Sequence, residues 1–220
     1  MNSPVVSLGV CITYHNEREL LTENLNSLTD LLPGVDKVYV YDDASQYPAR
    51  DWIPAGMQVE VVRGESNIGP GRARNVLWRQ CDADYIHFHD ADDIFLPGWA
   101  QRVRAEIQRT GCDAVLTETN AFRDGKTVGE RGFDLAGVRN NDDLLDYAIR
   151  RSMLTLTGTW KRQLLETTGG YDEGLWQSED YDLNIRLVAL RPSFSIILDP
   201  LVSIRIHAGN RSRLHVEVYR

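Results

Sequence analysis

The sequence predicts an α/β protein built on a mostly parallel sheet flanked by helices, with a less regular second half. Three observations point there. Short runs rich in β-branched residues alternate with segments whose apolar residues recur at helical spacing. Polar clusters fall repeatedly where those runs end, on the edge where open α/β sheets place their ligands. Finally, 220 residues suffice for one sizeable core, and no linker composition divides the chain, so a single domain over 1–220 is expected.

Taken in order, Val5 to Ile12 is a compact apolar run and reads as the first buried strand. Leu20, Leu21, Leu25, Leu28 and Leu31 then mark a helix over Glu17 to Leu31, stopped by Pro33-Gly34. Lys37 to Tyr41 is a second strand ending in Asp42-Asp43-Ala44-Ser45, and Val59 to Arg63 a shorter third. The loop Ser66 to Gly71 leads into a helix from about Arg72 to Gln80. Tyr85 to His89 is a strand that runs into Asp90-Ala91-Asp92-Asp93. Pro97 opens a helix to Arg109, and a strand follows at Ala114 to Thr119.

Beyond residue 119 the pattern loosens. Phe122 to Val128 reads as a hairpin around Asp124-Gly125. Asn141 is placed to cap a helix through Leu144, Leu145 and Ile149, and Thr155 to Trp160 reads as a strand followed by a helix that stops at Gly169-Gly170. Ser178 is placed to cap a helix carrying Leu183, Ile185, Leu187 and Val188. Ser193 to Leu198 and Leu201 to Ile206 are late strands split by Asp199-Pro200.

Composition narrows the function. The formal net charge is −8 and no basic block or arm is present, which argues against a nucleic-acid partner. Cys11, Cys81 and Cys112 have no metal or redox spacing, so a reducing compartment and buried thiols are expected. No stretch reaches the ~20 apolar residues a membrane span needs. The reading is cytoplasmic, with membrane association at most peripheral.

The acidic run is the sharpest chemical signal. Hydrophobic burial favours the strand before it, but carboxylates cannot follow it inside unless paired or bound to a cation. In extended backbone Asp90 and Asp92 point to one side, and two hard oxygen ligands suit Mg²⁺ or Mn²⁺ shared with a substrate's phosphates. A solvated acidic loop is the bland alternative.

Four further clusters sit at strand ends. Thr13-Tyr14-His15-Asn16-Glu17 offers Tyr14 to stack on a base, or else Asn16 as a helix cap beside a semi-buried Tyr14. Asp42-Asp43 is placed to take a ribose hydroxyl or ring N–H, or else to form an Asx turn. Asn67-Ile68-Gly69-Pro70-Gly71 lets backbone approach a ligand at a helix start, with Arg72 and Arg74 beyond it, or is a simple turn. The last cluster joins Trp176 to Asp182 with Arg205 to Arg213. There a general base beside a cleft competes with ordinary acidic residues at a helix start.

Set in order, these clusters resemble the inverting glycosyltransferases of family 2, which have the Rossmann-like GT-A fold. The match runs from Val5 to about Arg213 and includes Ala73-Arg74-Asn75, Asp90-Ala91-Asp92-Asp93, Gly169-Gly170-Tyr171-Asp172-Glu173, Glu179-Asp180-Tyr181-Asp182 and Arg205-Ile206-His207. The resemblance implies a nucleotide-binding half to about residue 119 and an acceptor half after it. It implies a nucleotide set of Thr13, Tyr14, Glu17, Asp42, Asp43, Asn67, Gly69, Arg74 and Asp90. Asp92 would bind the divalent cation, with Asp90 on ribose or metal-bound water and His207 completing the site. A mixed carboxylate and imidazole set favours Mn²⁺ somewhat over Mg²⁺. Asp180 would be the catalytic base, Glu179 would hold the acceptor or orient the helix, and Trp176 with Asp182 would meet the sugar.

The implied reaction moves a sugar from a nucleotide donor, UDP-linked by family habit, to a hydroxyl acceptor. That acceptor would be a carbohydrate or lipid-linked sugar, as in polysaccharide or glycoconjugate biosynthesis. His15, His87 and His89 depart from the family's pattern. Two rival readings stand beside this one: a metal-dependent phosphoester hydrolase on His87, His89 and Asp90, and a nucleotide-binding module without turnover.

Overall fold

The computed structural model describes residues 6–29, 34–129, 135–151 and 155–207. Nine strands and six helices lie in these segments. The first half runs β1 (Leu8–Tyr14), α1 (Glu19–Thr29), β2 (Lys37–Asp42), β3 (Glu60–Arg63), α2 (Pro70–Gln80), β4 (Tyr85–Asp90), β5 (Ile94–Phe95) and α3 (Trp99–Thr110). The second continues β6 (Ala114–Arg123), β7 (Lys126–Gly129), α4 (Asn141–Arg151), β8 (Gly158–Lys161), α5 (Arg162–Thr168), α6 (Glu179–Ala189) and β9 (Phe194–Arg205).

The sheet order is β3-β2-β1-β4-β8-β6-β9-β5, with β7 paired to β6. The first four strands are parallel, as are β6 and β9, whereas β8, β5 and β7 pair antiparallel to their neighbours. Period-two alternation explains the apolar runs. Leu8, Val10, Ile12 and Tyr14 of β1 pack with Leu21, Leu25, Leu28 and Trp99 on one face. Cys11 packs with Leu77, Phe88, Leu183 and Leu187 on the other. Helices cover both faces, so both sides of these strands are largely apolar.

Chain order matters for function. The chain winds outward through β2 and β3, then returns to place β4 on the other side of β1. The crevice at the carboxyl ends of β1 and β4 is therefore a topological switch point. Thr13 stands opposite Asp90 there, and Tyr14 opposite Asp42 on the neighbouring strand.

Several boundaries differ from the expectation for local reasons. The first strand and helix were expected from Val5 and to Leu31, termini outside the described residues, as are Pro33 and Ala208 to Arg213. Pro97 lies before α3, which starts at Trp99 after a left-handed Gly98. Asn141 is the first helical residue of α4, not its cap. Asn140 caps instead, its Oδ1 accepting from the Asp142 and Asp143 N–H groups at 2.9 and 3.0 Å. Ser178 does stand before α6, but at φ 58° and without a side-chain cap bond. Within Thr155 to Trp160 a 3-10 turn at Thr155–Thr157 precedes the strand.

The two late strands are one, β9, whose register slips opposite Thr117 to Thr119, with Ile197 beside Thr117 but Pro200 beside Glu118. A bulge is where a sheet tolerates a residue without an N–H. The short β5, unforeseen in the sequence, pairs Ile94 with Ser203 of β9. That pairing carries the end of β9 to the acidic turn.

Candidate active site

The acidic run does not continue as extended chain. Asp93 N–H donates to the Asp90 carbonyl at 3.2 Å, so the backbone turns, and the two carboxylates take different partners. Asp90 is drawn to Arg74, whose Nη2 donates to its Oδ1 at 2.6 Å, and Thr13 Oγ1 adds a 3.3 Å bond. Asp92 meets His207, with Nε2 and Oδ2 2.8 Å apart. Burial, followed by the charge of Asp90, pushes the Asp92 carboxyl upward, and His207 partly offsets this.

A carboxylate oxygen and an imidazole nitrogen at that spacing fit a divalent cation of the Mn²⁺ or Mg²⁺ type. Such an ion would reverse the cost of keeping Asp92 charged. Among the described residues no three His, Cys, Asp or Glu side chains converge as a metal cluster. Asp90, expected as a further ligand, is held by its ion pair with Arg74 instead.

Across the crevice, α6 begins with Glu179 and Asp180. Arg74 links it to the acidic turn, its Nη1 donating to Glu179 Oε1 at 3.0 Å while Nη2 holds Asp90. The guanidinium is 5% exposed and lies 5.4 Å from the Tyr171 ring centre. Burial works against its charge, but Asp90, then the Tyr171 phenol and Glu179, hold its pKa above the ordinary value. Arg74 is thus a buried tie between β4 and α6 rather than an open nucleotide ligand. Asp180 is only half-buried. Its one hydrogen bond among the described residues is from Tyr181 N–H at 2.8 Å. Burial raises its pKa, opposed by Arg74 and reinforced by Glu179 and Asp90. A carboxylate with a raised pKa and a spare oxygen suits a general base.

Asn75 completes the scaffold. It donates to Tyr171 O and Glu173 Oε1, and accepts from Trp78 Nε1 and Tyr171 N–H, which pins the chain before α6 to α2.

The loops after β1 to β3 differ from expectation. Tyr14 is 1% exposed and its hydroxyl donates to Tyr47 O at 2.7 Å, so its ring cannot stack on a base. The exposed ring is His15, whose Nδ1 donates to Asp43 O at 2.8 Å, close to the Asn67 amide. Asn16 is no helix cap. Its Oδ1 accepts from Gln46 and Tyr47 N–H, tying down the loop after β2.

Asp42 is 1% exposed and accepts from Ser45 N–H, Ala49 N–H and Arg63 Nη1. It serves the Asx-turn alternative, not a ligand. Asp43 spends both oxygens on Ile68 and Gly69 N–H, shaping the glycine loop. Gly69 at φ 82° lies under Trp176, whose ring carbon is 3.0 Å from where a Cβ would stand. Glu17 accepts the His15 N–H, and burial raises its carboxyl to about 7, with Asp92 adding to the effect. Trp176 is 53% exposed and offers a ring face at the crevice. Asp182, expected at the sugar, pairs with Arg186 one helical turn on, at 2.5 Å.

His87 and His89 refute the hydrolase alternative. Both are buried, joined Nε2 to Nδ1 at 3.2 Å, and His89 stacks on Phe95 at 3.9 Å between ring centres. Burial pushes both down, His89 to about 3, so they are neutral core residues. They lie on the α3 face of β4, and Asp90 on the other.

A mixed α/β sheet with an acidic turn at its switch point and a carboxylate-led helix across the crevice is a GT-A fold. The chain belongs to glycosyl transferase family 2, whose family profile matches residues 9–163. It is 24% identical over 210 residues to an uncharacterized glycosyltransferase of Haemophilus influenzae, covering 93% of this chain and 70% of that protein. It is 29% identical over 183 residues to the succinoglycan biosynthesis protein ExoU of Rhizobium meliloti, covering 75% and 52%.

Among solved structures it is similar to residues 1–349 of Staphylococcus aureus TarS in complex with UDP-GlcNAc. The TM-score is 0.72 at 21% identity, covering 94% of this chain and 60% of that one. TarS is a poly(ribitol-phosphate) beta-N-acetylglucosaminyltransferase, and this chain spans 35% of its full length. Among the described residues no helix is long and apolar enough to cross a membrane.

Proposed function

We propose that this chain is an inverting transferase that moves a sugar from a UDP-linked donor to an acceptor hydroxyl by direct displacement. The observation that carries the proposal is Arg74, which binds Asp90 of the acidic turn and Glu179 of α6 at once. Through it the donor side and the base side of the crevice become one rigid unit. Solved TarS complexes with UDP and UDP-GlcNAc support a UDP-sugar donor. The ExoU relative supports a place in polysaccharide or glycoconjugate assembly, with a carbohydrate or lipid-linked sugar as acceptor.

In this reading Asp180 takes the proton of the acceptor hydroxyl as its oxygen attacks the anomeric carbon, and the nucleoside diphosphate departs from the opposite face. An α-linked donor then gives a β-linked product. A carboxylate is a weak base toward an alcohol, so alignment and charge stabilisation supply most of the rate. Asp92 and His207 would hold Mn²⁺ or Mg²⁺, which supplies Lewis-acid neutralisation of the leaving diphosphate. Asp90 and Thr13 face the ribose, His15 and Asn67 lie at the base, and Trp176 presents its ring to a sugar.

The test is UDP release from a panel of UDP-sugars with Mn²⁺ and candidate acceptors. Acceptor-dependent release that Asp180→Asn abolishes is expected. Release of phosphate from phosphomonoesters, with no UDP-sugar consumed, would contradict it.

A further inference from the structure

One buried polar side chain of α1 bonds to the backbone of the acidic turn. Asn24 lies in α1 within the apolar stripe of Leu21, Leu25 and Leu28, and is 0% exposed. Asparagine is a poor helix former, and burying an amide is costly unless it is hydrogen-bonded. Its Nδ2 donates to the Asp90 carbonyl at 3.1 Å and to the Asp93 carbonyl at 2.7 Å, the two ends of the acidic turn. Its Oδ1 is buried with no partner among the described residues, so there the residue is used for its donors.

The next contact comes from β9. Arg205 N–H donates to Asp93 Oδ1 and Arg205 Nε to the Asp92 carbonyl, both at 2.8 Å. Its Nη2 reaches back to Glu23, the neighbour of Asn24, and its guanidinium lies 4.5 Å from the centre of the Phe122 ring. The carbonyls of Asp90, Asp92 and Asp93 are therefore all held from outside the turn, two by Asn24 of α1 and one by Arg205 of β9. Arg205 stands two residues before His207, so the same clamp sets where His207 meets Asp92.

We infer that Asn24 and Arg205 are positioning residues that preset the Asp92–His207 pair for a divalent cation, with Asp93 as the fixed post between them. This deepens the proposed function and rests on its metal-diphosphate reading.

The experiment measures Mn²⁺ affinity in saturating UDP, by the paramagnetic resonance of free Mn²⁺, for wild type, Asn24→Leu, Arg205→Met and Asp93→Asn. UDP affinity in EDTA and melting temperature are recorded alongside. Removing groups that orient metal ligands typically costs about 10–100-fold in affinity. A loss of that size is expected for Asn24→Leu and Arg205→Met, with metal-free UDP affinity unchanged. Asp93→Asn keeps the oxygen that accepts the Arg205 N–H and should retain wild-type Mn²⁺ affinity. If Asn24→Leu does not fold, Arg205→Met, which keeps an aliphatic stem over Phe122, decides. Unchanged Mn²⁺ affinity in folded Asn24→Leu and Arg205→Met overturns the inference alone. Wild-type protein that binds no Mn²⁺ with UDP overturns both the inference and the reading beneath it.

Discussion

Two pairs of carboxylates at the same sheet edge behave in opposite ways. Asp42 and Asp43, after β2, are saturated by four backbone N–H groups and the Arg63 guanidinium. Asp92 and Asp180, across the switch point, have one hydrogen bond each among the described residues, and burial pushes both pKa values upward. The first pair builds the loops, whereas the second has carboxylate oxygens unengaged among the described residues. Under the proposed function, hydrogen-bond saturation rather than charge or exposure alone separates scaffold from chemistry.

Substitutions on either side of that division should have distinct signatures. The largest effect belongs to Asp180→Asn. A well-placed general base contributes about 10²–10⁴-fold, and that loss should fall on kcat while UDP affinity stays near wild type. Asp92→Ala comes next. Removing a direct ligand should cost more than the about 10–100-fold typical of a supporting partner, read as the Mn²⁺-dependent part of UDP affinity.

Asp42→Asn should invert this pattern, leaving UDP affinity near wild type while lowering stability by about 3 kcal/mol in urea unfolding, because buried donors lose their acceptor. The last effect lies in the core and is absent at neutral pH. Unfolded His89 takes its proton near the ordinary 6.5, while folded His89 resists until about 3. Its contribution is complete above pH 6.5 and lost as pH falls toward 3, by up to about 1.4 kcal/mol per pH unit. Glu17, raised to about 7, acts oppositely, its contribution being present below 4.5 and lost as pH rises through about 7. His89→Leu should therefore flatten the acid side of the stability profile by the histidine's share, measured by urea unfolding at successive pH values.

Much of the fold was legible because burial on both faces writes a simple pattern. β1, β2 and β4 are dense apolar runs that end in polar residues. The same alternation already carried the position of Tyr14: it continues the face of Leu8, Val10 and Ile12, which is the core face under α1. The use of each carboxylate was not legible. Asp43 is consumed by N–H groups about 25 positions along the chain, and Asp42 by Arg63 on the next strand, partners that only the sheet brings near.

Asp90 and Asp92 take different partners, Arg74 and His207, because a turn stands where extended chain was expected. β5 is too short for periodicity to register, yet it carries β9, and with it His207, to Asp92. Asn24 did leave a trace, as a polar residue interrupting a leucine stripe in α1.

The most direct test is calorimetric titration of UDP with Mn²⁺ into wild type, Asp42→Asn and Asp92→Ala. Wild-type affinity is expected for folded Asp42→Asn, and for Asp92→Ala a collapse to the affinity seen in EDTA. Loss of binding in folded Asp42→Asn, with Asp92→Ala unaffected, would contradict it.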